Sequence, residues 1–154
     1  MADKDLIDEF LAQERIAVVG VSRDPGDFSR RLFRDLRKFG YEALPVRPNA
    51  TEIDGVACVG RLQDLGPAPR AALLLTRPEI TDQVVKDCRE AGVGLVWMYR
   101  AAGQGAVSRQ AIDYCDAHGI RVIAGYCPYM FLQQAGWVHK LHGFLVKLLS
   151  GRPR

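Results

Sequence analysis

The 154-residue chain has only four cysteines and three histidines. Cys58, Cys88, Cys115 and Cys127 lie 30, 27 and 12 residues apart with no CxxC pair, which suggests neither a zinc ribbon nor a disulfide framework. Reduced thiols are the expectation, and a cytoplasmic setting with them. Long apolar runs are also missing: nothing approaches the roughly 18 residues of a membrane span. Even the apolar C-terminal region is broken by Gln133, Gln134, His139, Lys140 and Lys147. The opening Met1-Ala2-Asp3-Lys4-Asp5 is not the basic n-region and apolar h-region of a secretory signal. Charge of one sign is scarce as well. Lys and Arg total 21 against 18 Asp and Glu, and a net charge of +3 does not by itself imply nucleic acid. Two full domains do not fit in this length, whereas one domain of this size buries roughly 70% of its unfolded surface and needs no staple.

What is present is an alternation of two hydrophobic periods. Leu6, Ile7, Phe10 and Leu11 have helical spacing, and Arg15 to Gly20 is a short apolar run ending in glycine. Ser29 to Phe39 places Leu32, Phe33, Leu36 and Phe39 on one face, stops at Gly40 and leads into a strand over Tyr41 to Val46. The pattern recurs with strands at 71–75, 95–98 and 121–124 and helices at 78–91 and 107–118. Between 47 and 69 the chain is irregular, with turn signals at Asn49, Asp54-Gly55 and Gly66-Pro67 and a short strand around 56–59. Alternating strands and helices predict an α/β fold: a single Rossmann-like, doubly wound parallel sheet of about five strands with helices on both faces. Residues 1–130 are assigned to that domain, and 131–154 to an extra amphipathic C-terminal helix and tail packed on it.

In such a sheet, ligands sit beyond the carboxyl ends of the strands. Three of the five strand-end segments carry arginine: Val46-Arg47-Pro48, Thr76-Arg77-Pro78 and Met98-Tyr99-Arg100. An anionic ligand is therefore expected. The first turn, Gly20 to Ser29, leads into a helix N-terminus that favours phosphate, with Ser29 as N-cap. The turn is neither GxGxxG nor a P-loop, so the motifs that would name NAD or ATP are absent. NAD also calls for an acidic residue after the second strand, where this chain has Arg47. An arginine there suits a phosphorylated ribose, either the 2′-phosphate of NADP or the 3′-phosphate of coenzyme A, and spacing does not separate them. The basic face of Arg30, Arg31, Arg34, Arg37 and Lys38 reads as a solvated helix face rather than a nucleic-acid site. No catalytic triad is visible. His139 and His142 are read as surface or interface residues rather than metal ligands, and Cys127 as a small hydrophobe rather than a reactive thiol.

Taken in order, certain segments resemble the small bacterial CoA-binding proteins related to the N-terminal CoA-binding domain of the succinyl-CoA synthetase alpha subunit. The carriers are Ile16 to Ser22 with Pro25 and Ser29, Gly40 to Asn49, Arg77-Pro78-Glu79, Val96-Trp97 and Cys127. The likeness implies a Rossmann-type fold in which Gly20, Val21, Ser22 and Ser29 receive the CoA pyrophosphate. It places Val46, Arg47 and Pro48 at the adenosine end, and Thr76, Arg77, Pro78 and Met98 along the nucleotide and pantetheine. Arg30, in the first helical turn, adds a charge-assisted phosphate contact. Arg47 stands where the family usually has Asn, Tyr99 and Ala101 where it has Gln and Gly, and Gly125 where it has Asp.

The leading expectation is thus a module that binds CoA or acyl-CoA without catalysis of its own and without a metal. A thioester-forming ligase would need a nucleotide-binding domain and a phosphorylated histidine on a further domain, for which this length has no room. An NADP-dependent oxidoreductase is the rival, with Tyr99 or Tyr126 as proton donor. A third possibility is an interaction protein with a vestigial nucleotide pocket. The last helix, with Phe131, Trp137, Val138, Leu141 and Phe144 among its apolar residues, offers a surface for a second copy or a protein partner, and neither nucleic acid nor membrane is expected as partner.

Overall fold

The structure, a computed structural model, describes residues 2–132. The helix expected over 131–149 lies, beyond Leu132, outside the described residues, as do His139 and His142. The elements are α1 (Ala2–Leu11), β1 (Arg15–Val19), α2 (Phe28–Lys38), β2 (Glu42–Val46), β3 (Glu52–Ile53), β4 (Val56–Ala57), β5 (Ala71–Leu74), α3 (Pro78–Ala91), β6 (Leu95–Met98), α4 (Arg109–Ala117) and β7 (Arg121–Ala124), with a 3-10 turn at Leu62–Asp64.

Five strands pair in the order β2-β1-β5-β6-β7, all parallel. They are buried on both faces because their side chains alternate between two cores. Ile16, Val18, Leu73, Trp97 and Ile123 pack with Ile7, Phe10, Leu32, Phe33 and Leu36 of α1 and α2. Ala17, Val19, Leu74, Val96 and Met98 pack with Val84, Val85, Cys88, Ala111 and Cys115 of α3 and α4. The doubly wound sheet expected from the sequence is therefore the one observed. Trp97 locks one end of the first core, with its Nε1 donating to the Gly125 carbonyl at 2.9 Å and its ring edge-on to Phe10 at 5.2 Å.

Helix ends follow local chemistry. Gly92 closes α3 in the left-handed conformation at φ 83°, and Ser108 caps α4 by accepting from the Ala111 N–H at 3.2 Å. The N-cap of α2 is Asp27, not Ser29: the Asp27 carboxylate accepts the Ser29 N–H at 2.8 Å. Ser29 sits one step inside the helix, where its hydroxyl has other partners.

The irregular segment holds a hairpin that the sequence pattern did not reveal. Asp54 and Gly55, with φ of 50° and 79°, form the two-residue loop joining β3 to β4. The chain then runs beside β2 through a parallel bridge from Val46 to Val59, and the Arg47 N–H donates to the Val59 carbonyl at 2.9 Å. Residues 58–61 thereby leave the sheet at the same end as Arg47.

Candidate functional site

The register puts Val19, Val46 and Leu74 level at the ends of β1, β2 and β5. Backbone bonds tie the residues just past these ends: the Gly20 N–H donates to the Val46 carbonyl at 3.0 Å and the Leu75 N–H to the Val19 carbonyl at 2.9 Å. From β1 the chain passes outward to β2 and then returns to β5 on the other side of β1. The loops diverge there, as the physics of an open α/β sheet requires of its binding crevice. A cleft of about 910 Å³ lies at this place. Its volume falls in the range of small-molecule sites, roughly 300–1,000 Å³.

Gly20 opens the cleft floor with φ +94°, and a Cβ there would stand 3.0 Å from Thr76 Cγ2 and 3.1 Å from the Leu75 carbonyl carbon. Only glycine lets β1 turn this close to β5. The turn from Gly20 into α2 is shaped by its own side chains. The Ser22 N–H donates to Ser29 Oγ at 2.8 Å, the Ser29 hydroxyl donates to Asp27 Oδ1 at 2.6 Å, and the Asp24 N–H donates to Ser22 Oγ at 3.0 Å. Across the cleft, Thr81 donates to the Arg77 carbonyl at 3.1 Å, so the Thr76 hydroxyl donates to Thr81 at 2.8 Å.

Three guanidinium groups border the space. Arg47 spans the β1 and β2 loops, with Nη1 donating to the Val21 carbonyl at 2.9 Å and Nε to the Pro48 carbonyl at 3.3 Å. Arg61 is held by Asp87, whose Oδ1 accepts from Arg61 Nη2 and Gln63 Nε2, each at 2.9 Å. Arg77 is exposed at the N-cap of α3. Val46, Pro48, Leu62, Ile80 and Val84 supply apolar wall between them. At the β6 end the wall is aromatic. Phe28 meets Tyr99 at 5.1 Å and Tyr129 at 5.8 Å, and the Tyr129 hydroxyl donates to Asp35 at 2.5 Å. Burial, with Cys127 nearby as a second cause, raises the Tyr99 phenol pKa, so this ring stays neutral.

Of the residues singled out in the sequence, Gly20, Ser22 and Ser29, then Val46, Arg47 and Pro48, then Thr76 and Arg77 all line this one cleft. Val21, Arg30, Pro78 and Met98 do not. The Val21 side chain is in the core beneath α2, and only its carbonyl serves the site, by anchoring Arg47. Met98 is fully buried in the opposite core. Pro78 is the first residue of α3. Arg30 forms a two-pronged pair with Asp54, at 3.0 and 2.7 Å, and its Nη1 donates to the Ser22 and Arg23 carbonyls. It braces the turn, and the phosphate contact expected of it is not supported by this placement. Two more residues of the basic face are also engaged: Arg34 donates to the Pro25 carbonyl at 2.8 Å and Arg37 to the Asp54 carbonyl at 3.4 Å.

Sequence reasoning missed Gly60, Arg61 and Leu62 and the α3 face of Ile80, Gln83, Val84 and Asp87. The helical face was discoverable, since 80, 84 and 87 follow the i, i+4, i+7 rule from the strand end. His118 caps α4 with Nδ1 at 2.7 Å from the Tyr114 carbonyl, and no cluster of His, Cys, Asp or Glu among the described residues could hold a metal ion. Cys127 is half-buried.

A family profile described as "CoA binding domain" matches residues 14–133. The chain belongs to the CoA binding domain family. The family anticipated from the strand-end segments is thus the family found, and the matched stretch contains every residue of the cleft. Among relatives of this CoA binding domain, the uncharacterized protein YneT of Bacillus subtilis (strain 168) is 30% identical over 114 residues, which is 74% of this chain and 82% of YneT. The ADP-forming acetate–CoA ligase I of Archaeoglobus fulgidus is 22% identical over 118 residues, 73% of this chain but 17% of the ligase. Among solved structures, a hypothetical protein from Pyrococcus horikoshii OT3 superposes with a TM-score of 0.78 at 23% identity, covering 88% of this chain and 92% of that one. It shares the fold of this CoA binding domain. Among the described residues, no helix is long and apolar enough to cross a membrane.

The cleft's donor set fits the group that the family name implies. Guanidinium groups and a helix N-terminus suit phosphates, and the apolar wall suits an adenine ring and a pantetheine arm.

Proposed function

We propose that this chain binds coenzyme A, free or as a thioester, across the carboxyl ends of β2, β1, β5 and β6, and breaks no bond in it. The observation that carries this reading is the cleft of a CoA binding domain bordered by Arg47, Arg61 and Arg77 at the turning point of the sheet. Arg47 follows the second strand, where a phosphorylated ribose meets a doubly wound sheet, and an arginine offers it a charge-assisted contact. The first turn and the N-terminus of α2 lie next along the sheet, where the pyrophosphate would follow, and there it would take over backbone donors that Asp27 and Ser29 now satisfy. Bound CoA would supply a thiol or thioester, and the protein's part is to hold and orient it.

The groups that could do proton chemistry in the cleft are committed to scaffolding. Asp27 caps α2 and fixes Ser29, while Asp87 accepts from Arg61 and Gln63. This supports a holding role over a catalytic one.

The test is calorimetric titration of the purified protein with CoA, NADP and NAD at one fixed salt concentration, with native mass spectrometry to count bound ligand. One CoA per chain, bound in preference to both dinucleotides, is expected. Selective NADP binding, or no binding of any of the three, would refute the proposal.

A further inference from the structure

One side of the cleft is closed by α3, and the chain beside β2 leads to it. The Arg47 N–H is bonded to the Val59 carbonyl, and the next two residues, Gly60 and Arg61, carry the cleft edge across to α3, where Arg61 meets Asp87. Ile80 and Val84 share the α3 face of Asp87 and form an apolar wall, of which Ile80 is left 51% exposed. The Asp87 carboxylate is divided between two tasks. Three donors converge on Oδ1, from Arg61 Nη2 and Gln63 Nε2 at 2.9 Å each and from Gln83 Nε2 at 3.4 Å, and among the described residues no donor is bonded to Oδ2. Nor is Oδ2 sealed in. Among the described residues the only buried side-chain nitrogen or oxygen without a partner is Gln63 Oε1, so Oδ2 keeps an open side, in a residue that is itself only 9% exposed and borders the cleft.

We infer that Asp87 is a specificity determinant that reads the exocyclic amino group of the ligand's base, with the amino group donating to Oδ2. The inference rests on the CoA-binding reading above. The ribose that carries the phosphomonoester also carries the base and the pyrophosphate, so its three substituents leave in three directions. With the phosphomonoester at Arg47 and the pyrophosphate at the N-terminus of α2, which packs on one face of the sheet, the base is left the direction of α3, on the other face. There a flat ring covers the exposed Ile80 and brings its edge to Asp87. A carboxylate oxygen only accepts, so it selects an edge that carries N–H. Adenine presents that edge in its 6-amino group, whereas a purine without the group leaves Oδ2 desolvated and unpaired. The donors on Oδ1 hold the carboxylate in one orientation, so the acceptor is in place before the ligand arrives.

The experiment is calorimetry of the whole chain with CoA and with its analogue in which unsubstituted purine replaces adenine, so that only the amino group is lost. CoA should bind at least about tenfold more tightly, the contribution of one hydrogen bond to a charged group. In Asp87→Asn the donors from Arg61 and Gln63 keep the amide oxygen in the place of Oδ1 and turn the NH2 toward the cleft. Two donors then face each other, and the preference should fall to about threefold or less. A carboxylate that only supports Arg61 and Gln63 would weaken both ligands alike on substitution and leave the ratio unchanged, a result that overturns the role of Asp87. A ratio near one on the unaltered protein also overturns it and leaves CoA binding standing, whereas failure to bind either ligand overturns both readings. Should Asp87→Asn not fold, the carbon-13 resonance of the Asp87 carboxyl in the unaltered protein decides: it should shift with CoA and not with the purine analogue, and equal shifts refute the contact.

Discussion

Replacing Arg47 by alanine separates contact with a ligand from support of a loop. Two of the Arg47 donors already serve the protein, Nη1 on the Val21 carbonyl at 2.9 Å and Nε on the Pro48 carbonyl at 3.3 Å. The positive charge is not used up by these neutral acceptors, and a phosphomonoester beside the end of β2 can still be bonded through Nη2. One charge-assisted hydrogen bond contributes about 1.5–3 kcal/mol. That corresponds to a loss of about tenfold to 150-fold in CoA affinity. The suitable control is dephospho-CoA, which lacks only the 3′-phosphate. Calorimetry of both ligands against both proteins closes a thermodynamic cycle, so any loop disturbance common to both ligands cancels. Arg47→Ala should therefore weaken CoA by that factor and dephospho-CoA by little. Equal losses would show that Arg47 acts by holding the β1 and β2 loops together, and would refute its assignment to the phosphate.

Two further expectations concern the scaffold. Gly20→Ala should cost about 2–4 kcal/mol in urea unfolding, combining the penalty of a positive φ with crowding against Thr76 and Leu75, and a cost under about 0.5 kcal/mol would contradict the close approach. The Asp54 carboxyl is held below its usual pKa, first by its hydrogen bonds from Arg30. Its contribution to stability is present above the unfolded value of about 3.9 and is lost as pH falls through the lowered native value. The gap in melting temperature between the protein and Asp54→Asn should then be constant near neutrality and narrow in acid; a gap that widens on acidification would refute the pair.

The legibility of this molecule in its sequence depended on how local each determinant is. Strands such as Leu95–Met98 and Arg121–Ala124, and the helix Pro78–Ala91, coincide with their expected bounds because periodicity and Gly92 are local signals. The β3–β4 hairpin escaped because two-residue strands have no period to read, although Asp54-Gly55 was visible as a turn. Ser29 has the chemistry of an N-cap, and Asp27 takes that role because Ser29 is drawn to the Ser22 N–H. Arg30 looked like a phosphate ligand from its place in the helix, and the hairpin brings Asp54 to it from 24 residues away. Arg61 reaches the cleft only because residues 58–61 run beside β2, a pairing that no local pattern announces. Eight of the expected site residues line one cleft because strand ends converge wherever the sheet forms, whatever the loops do.

The packing of α1 has a consequence for how the chain is made. Its apolar face is covered by late-arriving residues: Phe10 rests on Trp97, and Glu9 is clasped by Arg121 through two bonds of 2.6 Å. During synthesis at roughly 5–20 residues per second, Ile7 and Phe10 emerge several seconds before β6 does. Over that interval β1 and β2 can already pair with α2 folded against them, while α1 has no finished sheet to dock on. The helix nearest the start of this sequence is thus among the last elements to be satisfied.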